Sequence, residues 1–129
     1  FPYTTLFRSL AAETLLSLPV AERRLISKNV CHGAIFTKED ATLLIPFRQL
    51  NKGLDLFLKA VEIKEKALHD TVAGLLAIDP SKALWADVIP YRKSGGWGCW
   101  EAADNPEKEA SQITVYIPDL SDLWMVMKP

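Results

Sequence analysis

Asn51–Ala77, NKGLDLFLKAVEIKEKALHDTVAGLLA, is the stretch on which the fold turns. At about 100° per residue, Leu54, Phe57, Leu58, Val61, Leu68, Val72, Leu75 and Leu76 fall into one stripe roughly 100° wide. That is the spacing of a helix that lays one apolar face on a core. Asp55, Lys59, Glu62, Lys66 and Asp70 share another face, and the acid-first pairs Asp55–Lys59 and Glu62–Lys66 stand at helical i,i+4 spacing. The segment is read as one long helix, the spine between a helical N-terminal part and a C-terminal sheet. Leu56 and Ile63 point away from the main stripe as a second apolar row. Glu65 falls inside the stripe between Val61 and Leu68, so it is read either as a carboxylate close to the core, met by Arg23, Arg24 or Arg48, or as an exposed residue at the stripe's edge.

Toward the N-terminus, Ile45-Pro46 disfavours helical backbone at Ile45. Thr37-Lys38-Glu39-Asp40 approximates a capping box with Asp in place of Glu, opening a short helix that runs to about Leu44. Ala34-Ile35-Phe36 is a short apolar bridge. Ser17-Leu18-Pro19 resembles a helix start, and Asn29 to Gly33 resembles the end of that helix, which places one over Val20–Lys28. Leu10–Leu18 is a helical remnant. Residues 1–9, FPYTTLFRS, are similar to the translation, in one frame, of a common sequencing-library adapter. They are read as a cloning or read-assembly scar of an environmental or draft-assembly sequence. Residues 10–129 are then expected to form a single α+β domain.

Toward the C-terminus, Ile78-Asp79-Pro80 stops the long helix, and Lys82–Asp87 adds one further helical turn. Ile89-Pro90 and Ser94-Gly95-Gly96 are turn chemistry. Trp97–Ala102 and Ile113–Ile117 alternate as strands do, with Ile113, Val115 and Ile117 on one face and Thr114 and Tyr116 on the other. Leu123–Met127 fits a third strand or a docking tail. The fold expected is α+β: N-terminal helices with one long central helix (about 51–77) packed on a small C-terminal antiparallel β-sheet (about 97–127).

Composition narrows the function. The apolar fraction is 49%, enough for a core and too high for a disordered chain. Lys and Arg number 15 against 16 Asp and Glu, a net charge of −1, so bulk charge makes no case for nucleic acid or an anionic membrane. No apolar run approaches the ~18 residues of a membrane span. Two cysteines, Cys31 and Cys99, allow at most one disulfide and are read as reduced, buried thiols of a cytoplasmic protein.

Three groups of residues are candidates for chemistry. Gly98-Cys99-Trp100 superficially resembles the Cys-Trp pair of papain-type proteases, but the Gly-Ser-Cys context is absent and His32 and His69 both lie upstream. Cys31, His32, His69 and Cys99 are four zinc-type ligands in number, with a spacing that fits no zinc knuckle. Trp85, Tyr91, Arg92, Lys93, Trp97 and Trp100 form an aromatic and basic cluster able to stack on bases or sugars, with Arg92 and Lys93 toward phosphate or carboxylate. Tyr91, Arg92, Lys93, Trp97 and Trp100 are the candidate ligand-binding residues. No paired acid/base constellation appears, which weighs against an enzyme, and neither metal nor cofactor is expected. The expected function is a small binding or protein-interaction module that engages a protein partner or a second copy of itself, through Leu56, Ile63 and the tail Leu123–Met127. The alternative is a binder of a small ligand or single-stranded nucleic acid through the 85–100 cluster.

Overall fold

Local chemistry sets most helix ends. The computed structural model describes residues 2–94 and 96–129, with side chains from residue 10 onward. The expectation for residues 1–9 therefore lies outside the described side chains, and Gly95 lies outside the described residues. The helices are α1 (Pro2–Ser17), α2 (Lys28–His32), α3 (Lys38–Leu44), α4 (Lys52–Ile63), α5 (His69–Ile78) and α6 (Leu120–Trp124). The strands are β1 (Arg24–Leu25), β2 (Ile35–Phe36), β3 (Lys66–Ala67), β4 (Leu84–Lys93), β5 (Gly96–Glu101) and β6 (Ser111–Tyr116). A four-stranded sheet has the order β1-β6-β4-β5, and β2 pairs antiparallel with β3. Residues 1–24 and 87–112 form one compact unit, and residues 25–86 and 113–129 form a second. The mixed α+β class is as expected; the arrangement differs in several places.

The long helix is two helices. α4 ends at Ile63, and Lys64 is already extended at φ −153°, ψ 133°. Lys66 and Ala67 then pair with Phe36 and Ile35, and the Leu68 N–H donates to the Ala34 carbonyl at 3.1 Å. The break has a tertiary cause. A continuous helix at about 1.5 Å per residue would hold Val61 and Val72 some 16 Å apart along its axis. Turning the chain at residues 64–68 lets α5 fold back, and both valines are then fully buried in one cluster. All eight stripe residues do face that cluster. Leu58, Val61, Val72, Leu75 and Leu76 are buried in it, and Leu54, Phe57 and Leu68 pack on its margin. The inward set survives while the element that carries it is broken. Lys66 has left the helix, so the Glu62–Lys66 helical pair does not form, whereas Lys59 holds Asp55 at 2.8 Å.

Around that cluster the second unit is organised by Phe36 and Trp124, both at 0% exposure. Their rings meet edge-on at 5.4 Å, and Phe57 lies 5.2 Å from Phe36. The tail is neither a strand nor a free surface. Asp119 caps α6 by accepting from the Asp122 N–H at 3.2 Å, and Leu123 and Trp124 are buried in their own core. It docks inward through Leu123 and Trp124, while Met125, Val126 and Met127 stay partly exposed. The Thr37 capping box forms as expected. The Asp40 N–H donates to Thr37 Oγ1, and Asp40 Oδ2 accepts from the Thr37 N–H at 2.9 Å.

Two more expectations change. Val20–Lys28 is not helical: β1 occupies its middle, and Ser27 instead caps α2, its Oγ accepting from the Val30 N–H. On β6, Thr114 is buried and Val115 is exposed, against the expected faces at those two positions, whereas Tyr116 is exposed and Ile117 buried as expected. The Ser27 N–H donates to Thr114 Oγ1 at 2.8 Å, which satisfies the buried hydroxyl and makes its burial affordable.

The first unit contains α1, β5 and most of β4. Ile89-Pro90 is not a turn. Pro90 lies mid-strand opposite Cys99. Its locked φ is compatible with extended backbone, and it gives up only its own N–H. No second helical turn follows Pro80–Lys82; the chain is in β4 from Leu84 onward. Val88 and Ile89 are the buried apolar residues of this strand.

Candidate functional site

The candidate ligand-binding residues all lie on the β4–β5 hairpin. Its register pairs Ile89 with Trp100, Tyr91 with Gly98, Arg92 with Trp97 and Lys93 with Gly96. Residues directly opposite in an antiparallel pair share a face. Tyr91, Lys93 and Trp100 are therefore on one face, and Arg92, Trp97 and Cys99 on the other. The five do not converge on one site.

On the first face Tyr91 stacks on Trp100 with ring centroids 4.7 Å apart and planes 24° from parallel. Gly98 makes this possible: a Cβ there would stand 2.6 Å from Tyr91 Cζ and Oη. The tyrosine ring thus lies over the bare glycine and leans diagonally onto the neighbouring tryptophan. Trp100 keeps 51% of its surface exposed. On the second face Arg92 is held by Glu13 of α1 at 2.7 Å, which partly spends its charge. Trp97 beside it is 37% exposed.

β5 is the outermost strand of its sheet. From Gly96 to Trp100 it carries no charge and no proline, the usual guards of an edge. The opposite edge is β1, only two residues long and bearing Arg24, so it is blunted by brevity and charge. Among the described residues, no backbone hydrogen bond outside the sheet ladders reaches residues 96–101.

The other candidates go elsewhere. Trp85 packs on the core of the second unit and its Nε1–H donates to the Pro80 carbonyl at 2.8 Å. Glu65 is exposed, because the helix ends before it; the expectation of a buried carboxylate at that position is corrected. The buried carboxylate is Asp40, 8% exposed, which joins Thr37 to Ser121 by accepting the Ser121 hydroxyl at 2.9 Å. The capping-box spacing pointed to Asp40, though not to its burial.

His32 and His69 stack at 4.8 Å with planes 15° apart, a geometry that does not aim two ring nitrogens at a common ion. Among the described residues no group of three or more His, Cys, Asp and Glu could hold a metal. Both cysteines are free, Cys31 half-buried and Cys99 exposed rather than buried. Desolvation pushes the Cys31 thiol up, with Asp70 adding to it, and desolvation pushes Cys99 up. That is opposite to the activation a cysteine nucleophile needs. An apolar hollow of about 280 Å³ lies between Asn29, Val30 and Gly33 and the end of β6 at Val115–Ile117. It falls short of the roughly 300–1,000 Å³ of most small-molecule sites.

No family model matches the chain, and no curated protein and no solved structure matches it. Among the described residues no helix is long and apolar enough to cross a membrane.

Proposed function

We propose that the protein is a small protein-interaction module whose contact surface is the outer edge of β5. The observation that supports this reading is the unguarded edge: a six-residue outermost strand, uncharged through Trp100, carrying two solvent-exposed tryptophans. About half the residues of such a strand turn their N–H and C=O groups outward, where an added strand satisfies them. Each bond so formed contributes about 0.5–1.5 kcal/mol net. Trp97 and Trp100 add rigid apolar anchors on the two faces of the added strand. Leu56 and Ile63, the apolar residues of α4 expected to meet a partner, are 58% and 85% exposed.

Amide hydrogen exchange tests the reading. The outward amides of residues 96–101 are expected to exchange rapidly in dilute protein and to become protected when the edge is filled. Slow exchange of the whole strand in dilute monomeric protein would mean that the edge is already covered, and would end the proposal.

A second reading has one observation in its favour. The Tyr91–Trp100 stack leaves half of Trp100 exposed on the face that also carries Lys93, a small platform for a planar or anionic ligand. Tryptophan fluorescence titrated with single-stranded oligonucleotides, nucleotides and glycans tests it; an unchanged spectrum rejects it.

A further inference from the structure

Resting on the edge-pairing reading above, we infer that the strand added to β5 is β5 of a second copy of this chain, antiparallel and centred on Cys99.

The argument is one of register. A two-fold axis perpendicular to the sheet keeps each face continuous across the new edge, so opposed residues must share a face. Only pairings centred on a residue satisfy this. Centred on Cys99, they are Cys99 with the second copy's Cys99, Gly98 with its Trp100, and Trp97 with its Glu101. Centred on Gly98, they are Gly98 with Gly98, Gly96 with Trp100, and Trp97 with Cys99. The second register sets two bare glycines against each other at the axis, which leaves the middle of the pairing without side chains. The first sets each tryptophan beside the glycine over which Tyr91 already lies. Each copy's stacked Tyr91 and Trp100 then meet the other copy's pair, giving four aromatic rings around two glycines on one face. On the other face each Glu101, exposed in the single chain, lies opposite a Trp97, which sets a carboxylate acceptor beside an indole N–H donor. The strand is thus complementary to itself in size and in hydrogen bonding. The contrast between the two sheet edges points the same way: the two-residue edge β1 is blunted, whereas the longer edge β5 is left open.

Cysteine cross-linking reads the register directly. Opposed residues in an antiparallel pair have Cα atoms about 4.5–5.5 Å apart, within the span of a disulfide. The variant Cys31→Ser leaves Cys99 alone, and Cys99→Ser leaves Cys31 alone. Each is treated with diamide at mildly alkaline pH. The two thiols lose two protons and two electrons, which diamide takes up as it becomes the hydrazine. With rates normalised to alkylation of the same thiol by iodoacetamide, the Cys99 protein is expected to form covalent dimer about a hundredfold faster than the Cys31 protein. In a background lacking both native cysteines, a mixture of Trp97→Cys and Glu101→Cys chains is expected to cross-link to each other and not to themselves. Light scattering of the unmodified protein guards against variants that fail to fold, and is expected to give the mass of two chains.

A strictly monomeric protein at the highest attainable concentration overturns the inference. So does a dimer that cross-links faster through Cys31, or through Trp97→Cys with itself. The two proposals fail separately. If the protein is monomeric and the amides of 96–101 exchange freely, the edge is open and its partner is a different strand. If it is monomeric and those amides are protected, both fall.

Discussion

Glu65→Pro separates the observed pair of helices from the single helix that the apolar stripe suggests. In a continuous helix, proline at 65 would remove a hydrogen bond and drive its ring into the carbonyl of residue 61, at a cost of about 3 kcal/mol or more. In the structure, none of this applies. α4 has ended at Ile63, and its last bond runs from the Lys64 N–H to the Ala60 carbonyl at 3.1 Å. Among the described residues no backbone acceptor serves the Glu65 N–H. The preceding residue also fits. Lys64 sits at φ −153°, ψ 133°, inside the extended region that a following proline imposes. The side chain of Glu65 is exposed. Proline there also removes conformational freedom from the unfolded chain, a gain of about 0.4–1 kcal/mol where the native backbone is compatible. The expected change is therefore within about 1 kcal/mol of wild type, and of either sign. Ala60→Pro, inside α4, is the control, and is expected to lose about 3 kcal/mol or more. Urea unfolding at constant temperature, followed by tryptophan fluorescence and far-ultraviolet circular dichroism, reads both. If Glu65→Pro loses as much as Ala60→Pro, the break at 64–68 is wrong, and so is the account of how α5 reaches the core.

Three other perturbations follow from the same contacts. Asp40→Ala removes the acceptor shared by the Thr37 N–H, the Thr37 hydroxyl and the Ser121 hydroxyl, and is expected to cost about 2–3 kcal/mol in urea unfolding; Ser121→Ala should cost about 1, and equal losses would contradict a three-way network. Trp124→Phe relieves a buried Nε1–H that has no partner among the described residues, so its loss of ring volume is largely offset and stability stays within about 1 kcal/mol, whereas Trp124→Ala should lose about 3–5. Hydrogen bonds from Lys59, then from Arg48, hold the Asp55 carboxyl below the usual carboxylate range. A carboxyl depressed in the folded state stabilises above its unfolded pKa, and that stability is lost as pH falls through the folded value. Asp55→Asn should therefore lower the thermal midpoint at neutral pH, and the difference should vanish in strong acid and shrink in high salt; a difference that persists in acid would point to packing instead.

Which features were legible in the chain follows from the range of the forces involved. The capping box at Thr37–Asp40 and the stop at Ile78 before Pro80 are contacts within four residues, and they form where the sequence places them. The inward stripe from Leu54 to Leu76 is likewise correct residue by residue, because burial selects apolar side chains whatever element carries them. The break inside that stripe was not legible. Its cause is the pairing of Lys66-Ala67 with Ile35-Phe36, some thirty residues away, and no local signal between Ile63 and Leu68 announces it. Strand β4 was hidden for a related reason: Pro90 reads as punctuation until a partner strand shows that extended backbone accommodates it.

The candidate site divides in the same way. Its residues were visible as composition, an aromatic and basic run with glycines at 96 and 98. That Trp97 and Trp100 take opposite faces was visible too, since alternation is a property of one strand. What tertiary structure alone decided is that Tyr91 lies over Gly98 against Trp100, that Arg92 is engaged by Glu13, and that β5 is the strand left at the edge. Side-chain period is written into the chain by local geometry. Strand order is not, because it is settled by which distant segments bury each other, and that order is what turns an apolar six-residue strand into a surface.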